Sequence, residues 1–425
     1  MIKSKKFFET PVESDEDSSS RIGFEHLTTY DRIDMILESP HMFKDEFQIR
    51  PSSRVLGTAS VVAITYFYGC GGPLGSEAIV QSSGPLVGMI ALGAYPLLIT
   101  IPYAFIVAEL CSAFPEDGGF TIWVMNGFGS FWGFQIGYWS WVGGVMNSAI
   151  YPGLLLEIIT SYTNTEISSE MVTYFLKVII GIVLAIPTLL GTKAMGRAAI
   201  ANLLIVLLPL CIYMFWAYTS ASDFEDLKEV RHEVNTFNKE TKDVEFQGKQ
   251  EIQWTDLINT LFWNFDGINM ASVFGGQVLN PARVYARAIC ITVVLTVLTY
   301  LLPIPATISS DALNWTQFER GSYVTAAREI GGSGLEVLML ISMIGTDIGL
   351  YVSSTFCKVI EIAGMADHDM MPRIFSARND VFGSPHYAAL ATLVPTIALV
   401  GIDFDVLLPV TNAFASLVSL LIILT

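Results

Sequence analysis

Tyr68-Gly69-Cys70-Gly71-Gly72-Pro73-Leu74-Gly75-Ser76-Glu77 interrupts a long apolar run that begins near Val55 and resumes through Ala78, Ile79 and Val80. Four glycines and a proline in this stretch cannot hold an α-helix, because glycine adds backbone entropy and proline removes a hydrogen-bond donor. A helix broken inside lipid strands N–H and C=O groups, which is tolerated only where they face protein, water or a ligand. A single Gly-x-x-x-Gly spacing would point only to close helix packing. Consecutive glycines joined to Pro73 and followed at once by the Glu77 carboxylate point instead to a binding site at membrane depth. Discontinuous helices of this kind hold the substrate in many secondary transporters.

Composition agrees with a membrane setting. The 425 residues are 52% hydrophobic and only 15% charged, with a mean hydropathy of +0.52, whereas soluble domains carry about 25% charge. The chain therefore reads as an all-α, multi-pass protein partnered by the lipid bilayer. A formal net charge of −17 argues against nucleic acid as a partner. Cys70, Cys111, Cys211, Cys290 and Cys357 lie in or beside apolar runs and read as small buried side chains, with Cys70 bordering the site. Their spacing suits neither a metal site nor a disulfide framework. No P-loop or nucleophile–base pair is present, so no enzyme activity, catalytic residue or cofactor is implied.

Apolar runs long enough to cross a bilayer, about 20 residues each, recur ten times, near 54–81, 85–112, 129–160, 171–190, 197–218, 254–279, 284–306, 332–363, 386–402 and 404–424. They divide the chain into a Lys-rich, then acidic tail (1–52), read as disordered and without a signal-peptide core, and a ten-helix core (53–425). Within the core, 53–218 and 253–425 form two repeats joined by an acidic loop, 219–252. Lys193 and Arg197, then Arg283 and Arg287, then Lys358, Arg373 and Arg378 mark three basic loops on the side of the N-terminus, which is expected in the cytoplasm. The sequon Asn314-Trp315-Thr316 falls on the opposite side, and the plasma membrane is the expected location.

The sixth run is interrupted too, at Trp263-Asn264-Phe265-Asp266-Gly267-Ile268-Asn269 and then Gly275-Gly276. A mid-membrane Asp costs several kcal/mol unless paired or wet. Breaks in spans one and six suggest two five-helix halves. Five being odd, the second half is inverted, and both breaks meet near the midplane.

Further segments carry a family resemblance: Gly71-Gly72-Pro73-Leu74-Gly75 with Glu77, Ala108-Glu109-Leu110, and Phe114-Pro115-Glu116-Asp117-Gly118-Gly119. Phe131-Trp132-Gly133-Phe134-Gln135, Tyr151-Pro152, Asn259-Thr260-Leu261-Phe262-Trp263-Asn264 and Gly276-Gln277-Val278 follow. Asn280-Pro281, Gly364-Met365-Ala366, Met371-Pro372 and Gly383-Ser384-Pro385 complete the set. In these the chain resembles the amino acid–polyamine–organocation superfamily, and within it the plant and protist polyamine-uptake and L-type amino acid transporter branch. The resemblance implies a LeuT-type 5+5 inverted repeat with helices 1 and 6 discontinuous, and a carrier of amino acids or polyamines. It implies twelve spans where ten are read, so the last two helices are either absent or beyond this sequence. In the branch pattern acids often stand where this chain has Tyr68, Asn147 and Asn269. This chain instead has Asp266 where the pattern tends to Asn, and adds Asp347. A ligand with one amine and one carboxylate thus becomes as plausible as a polyamine.

The N–H groups of residues 70–76, at the start of a half-helix, should cradle an anion such as an α-carboxylate. Tyr68, Gly69, Cys70, Gly71, Gly72, Gly75 and Glu77 from span one are the candidate substrate-binding residues there. Asn147 joins them from span three, and Trp263, Asn264, Phe265, Asp266, Gly267 and Asn269 from span six. Asp266 and Glu77 are the anions expected to meet an amine; Trp263 and Phe265 either cover the ligand by cation–π contact or simply pack between helices. Glu109 reads as a hydrogen-bond hub or gate, and Glu157 marks a vestibule. Thr346 and Asp347 lie where sodium-coupled relatives place an ion site. A carboxyl in apolar surroundings can trade protons in the physiological range, so proton coupling through Asp347 is expected over sodium. The rival reading is a transporter-like amino acid sensor signalling through the N-terminal tail.

Overall fold

The computed structural model describes residues 54–70, 72–163, 165, 167–231, 236–237, 244–246, 252–379 and 381–425. The tail read at 1–52 and much of the loop 219–252 lie outside the described residues. Span one is two short helices, α1 (Thr58–Gly69) and α2 (Ser76–Ser83), with Gly72 and Gly75 at positive φ between them. Then come α3 (Pro85–Ala113), α4 (Phe120–Phe128), α5 (Ser130–Thr163), α6 (Glu170–Leu189) and α7 (Thr192–Thr219). A small antiparallel hairpin, Thr236–Phe237 with Val244–Phe246, precedes α8 (Trp254–Phe265). The chain continues as α9 (Pro281–Ser309), α10 (Ser322–Asp367), α11 (His386–Leu399) and α12 (Phe404–Leu424). Seven of the described helices, α3, α5, α6, α7, α9, α10 and most of α12, are long and apolar enough to cross a membrane. The eighth uninterrupted run, α11, is apolar but only 14 residues long.

Proline and glycine set the bends. A π-helical turn, Pro96–Thr100, lies within α3, where Pro96 cannot donate the bond that a regular turn requires. At Gly332, φ 69 turns α10 sharply. Ser322–Gly331, expected as loop, is therefore a helical turn-in of its own, because Tyr323, Ala326 and Ala327 share one buried face. The helix α4 was also not expected as a separate element. It starts at Gly119, whose positive φ and contact with Ser272 leave no room for a Cβ.

The centre of the bundle is the lower part of α10. From Ser342 to Ala366 this helix is almost wholly buried, packed against α1, α5 and α7. At one end of the bundle Arg54 donates to the Val278 carbonyl at 2.9 Å, Asp117 meets Arg378, and Gly191 abuts Phe382. At the other, Ser222 and Asp223 donate to the Ser309 carbonyl and Trp315 donates to Glu229 at 2.5 Å. The loops grouped by charge in the sequence are thus grouped in space. Lys358 is the correction. The sequence reads it as a loop cation, yet it is 1% exposed within the buried stretch of α10. An apolar run with one Lys and one Glu a turn apart buries both, so Lys358 has no place in a count of loop charges.

Candidate functional site

The two breaks touch. A Cβ on Gly69 would stand 2.5 Å from the Asp266 carbonyl oxygen, and one on Gly267 would stand 2.5 Å from Cδ1 of Tyr68. Gly75 likewise abuts the Asn264 amide, and Gly72 abuts the Thr346 hydroxyl. Span six does not resume as an α-helix after its break. It continues through short 3-10 turns, Ile268–Val273 and Gly275–Gln277. Their backbone is satisfied by protein: Tyr285 donates to the Ala271 carbonyl at 2.8 Å, Gly118 N–H to Val273, and Val55 and Leu56 N–H to Gln277. Such partners are what irregular backbone at membrane depth requires.

A cavity with about 50 Å³ of water-accessible space opens beside the breaks, room for a few waters in this conformation. Five of the expected residues line it: Tyr68, Asn147, Trp263, Asp266 and Asn269. Asp266 is half-buried, with the Gly267 amide and Ser419 hydroxyl beside its carboxylate and Lys358 at longer range. Trp263 lies 3.5 Å from the Asn147 carbonyl oxygen through its indole N–H, and its ring meets Phe404 edge-on at 6.0 Å. Arg320 sits 4.2 Å above Phe404 and 3.7 Å from Glu157. Both Glu157 and Arg320 belong to an 830 Å³ vestibule. Gly69, Cys70, Gly72 and Thr346 border a second, 10 Å³ space with Tyr68 and Trp263.

Other expected residues are placed elsewhere. The Glu77 carboxylate folds back to accept the Gly75 N–H at 3.1 Å, so it caps its own half-helix instead of facing the cavity. A carboxylate two residues past an exposed N-terminus satisfies it more readily than a distant ligand can. Asn264 is fully buried against Gly75 with no hydrogen-bond partner among the described residues, and Phe265 stacks on Tyr95 and meets Tyr300 edge-on. Asp347 is 0% exposed, neither of its oxygens has a partner among the described residues, and it lines neither cavity. The cradle is partly occupied as well, because the N–H groups of Cys70, Gly75 and Ser76 already donate to Tyr66, Glu77 and Pro73. Gly71 lies outside the described residues. Three further readings need correction: Glu109 stands exposed on α3, and Cys211 and Cys290 are exposed on their helices. Helical apolar runs have an outward face as well as an inward one, and these side chains fall on it.

Lys358 was missed as a site residue. Lys358 lines the cavity, and its Nζ donates to Ser140 Oγ at 2.5 Å and Glu361 Oε2 at 2.9 Å and lies 5.6 Å from the Tyr68 ring centroid. The signal was in the sequence: Lys and Glu spaced i, i+3 inside Thr355-Phe356-Cys357-Lys358-Val359-Ile360-Glu361 put opposite charges on one helix face.

The amino acid permease family model matches residues 56–425. The chain belongs to this family. Among curated relatives, a probable polyamine transporter of Arabidopsis thaliana is 27% identical over 90% of this chain and 77% of its own length. The polyamine transporter PUT1 of Oryza sativa subsp. japonica is 27% identical over 85% of this chain and 64% of its own. The fold is similar to that of MhsT, solved in complex with L-phenylalanine. The TM-score is 0.58, with 12% identity, over 86% of this chain and 87% of that one. The likeness gives the LeuT-type fold; the family match and the transporter-named relatives make the chain an integral membrane transporter rather than an enzyme.

In this permease the basic end is fastened by Asp117. Its carboxylate accepts from Arg378 at 2.8 Å, from the Gly276 N–H at 3.1 Å and from Gln277 Nε2 at 3.3 Å. Burial pushes the Asp117 carboxyl above the usual range, and Arg378 opposes that. Arg378→Ala removes the opposing charge and is expected to destabilise by about 2 kcal/mol, below the full value of a buried pair because Arg378 is partly exposed. With the folded carboxyl raised further, its stability contribution is present at low pH and lost as pH rises through the folded value. The deficit of the variant should therefore be larger at pH 7.5 than at pH 5, which thermal melts in detergent at the two pH values would measure.

Proposed function

We propose that this permease is a secondary active carrier that moves a small amine, an amino acid or a polyamine, by alternating access. The observation that carries the reading is the meeting of two interrupted spans around a cavity edged by the Asp266 carboxylate. A fixed anion beside the breaks can exchange hydration for contact with an ammonium, and a short interrupted segment can change its aim without unfolding a whole helix. The relatives named as polyamine transporters support an amine, and the family supports an amino acid. In the proposed arrangement spans one to five and six to ten are inverted halves, the N-terminus is cytoplasmic, and the protein resides in the plasma membrane.

Coupling to protons is part of the proposal. Asp347 is a fully buried carboxyl without a partner among the described residues, one residue from Thr346 at the break of span one. An unpaired charge there is costly, so a carboxyl that can take up and release a proton suits the position better than a fixed charge. Radiolabelled arginine, leucine and putrescine presented to proteoliposomes, with and without a pH gradient, test the carrier and its coupling together. At least one solute should accumulate, more so with the gradient. Asp347→Asn should keep uptake yet lose the response to the gradient; a normal response in that variant would remove Asp347 from the mechanism.

A further inference from the structure

The charged side chains that line the cavity are Asp266 and Lys358, and the other polar groups there, among them Tyr68, Asn147 and Asn269, are neutral. Glu361 is held by Lys358, so it does not add a free anion. The Lys358 stem lies over Gly144, and a Cβ at that glycine would collide with it. Helix α5 is thus shaped to admit this one long side chain. An ammonium has three N–H donors. Two go to Ser140 and Glu361, and the third direction meets only the Met270 thioether, 3.5 Å away, a weak acceptor.

We propose that Lys358 is a specificity-determining residue: it receives the carboxylate of a neutral, zwitterionic amino acid whose amine meets Asp266, and it excludes polyamines. The inference rests on the carrier reading above and narrows its substrate class. A carboxylate in the cavity replaces a thioether contact with a charge-assisted hydrogen bond, among the stronger polar interactions available. The half-helix cradle competes poorly for it, since the N–H groups of Cys70, Gly75 and Ser76 are already engaged. A diamine would find one free anion for two ammoniums, because the Glu361 carboxylate is already committed to Lys358, and its second ammonium would lie unpaired at a cost. Packing alone does not explain the Lys358–Glu361 pair, because a buried ion pair is often no more stabilising than an apolar pair of the same size.

The wild-type protein in proteoliposomes should take up leucine, with putrescine uptake at least tenfold lower and excess putrescine failing to compete. Putrescine uptake equal to that of leucine would overturn the inference and leave the carrier intact. Uptake of neither leucine, arginine nor putrescine would overturn both. Lys358→Met combined with Glu361→Gln removes the pair without stranding a charge. It should raise the leucine KM at least tenfold and shift the putrescine-to-leucine uptake ratio upward. Gly144→Ala, which keeps both charges and displaces the lysine stem, should shift the ratio the same way. An unchanged ratio in whichever of the two variants folds would also overturn the inference.

Discussion

Gly267→Ala should be strongly destabilising, because the methyl group falls where the two breaks meet. The residue sits at φ 99, a conformation that an L side chain adopts only at a cost, and its new Cβ would lie 2.5 Å from Cδ1 of Tyr68 and 3.4 Å from Cα of Gly69. Left-handed backbone costs roughly 1–2 kcal/mol and overpacking about 1–3 kcal/mol more. A sum of about 3 kcal/mol should lower the melting temperature in detergent by roughly 5 °C. Gly69→Ala should behave similarly, because its Cβ meets a backbone carbonyl of Asp266, which cannot rotate away. Gly93→Ala is the control: nothing lies within 4 Å of that position in α3, so an alanine there should be neutral or slightly stabilising. If Gly267→Ala melted like Gly93→Ala, the close meeting of the two breaks would be wrong.

Asp266→Asn should cut uptake about 100-fold with little change in melting temperature. Losing a charge-assisted hydrogen bond to an ammonium is worth about 3 kcal/mol, and each 1.4 kcal/mol is tenfold in binding. The fold should survive because asparagine keeps an acceptor oxygen for the Gly267 amide and the Ser419 hydroxyl beside it. An apparent KM that rises while maximal rate holds would place the effect on ground-state binding. Uptake within threefold of wild type would mean that Asp266 does not hold the amine.

The helices were legible because a lipid-facing run must be apolar and about 20 residues long, whatever surrounds it. The breaks were legible for an equally local reason: the backbone cannot stay helical through Gly71-Gly72-Pro73 or close a regular turn at Gly267. What was not legible is where the charged side chains end up. Glu77 is read beside Asp266 as an anion for the amine and Asp347 as a proton acceptor, since each is an acid in an apolar run. One turned back onto its own helix end, another was enclosed between helices, and only the third reached the cavity. Lys358 was misread for the same reason, because an isolated lysine between apolar segments resembles the start of a loop until its partners on α5 are known.

The amino-acid order by itself determined that this chain is a helical membrane protein interrupted in its first and sixth spans, because each of those properties depends on a residue and its neighbours along the backbone. Only the tertiary structure decided which atoms of the two interruptions touch, and that Asp266 and Lys358 share one cavity while Glu77 does not. Electrostatic pairing depends on distances between helices far apart in sequence, such as α5 and α10, and periodicity along a single helix carries no information about them.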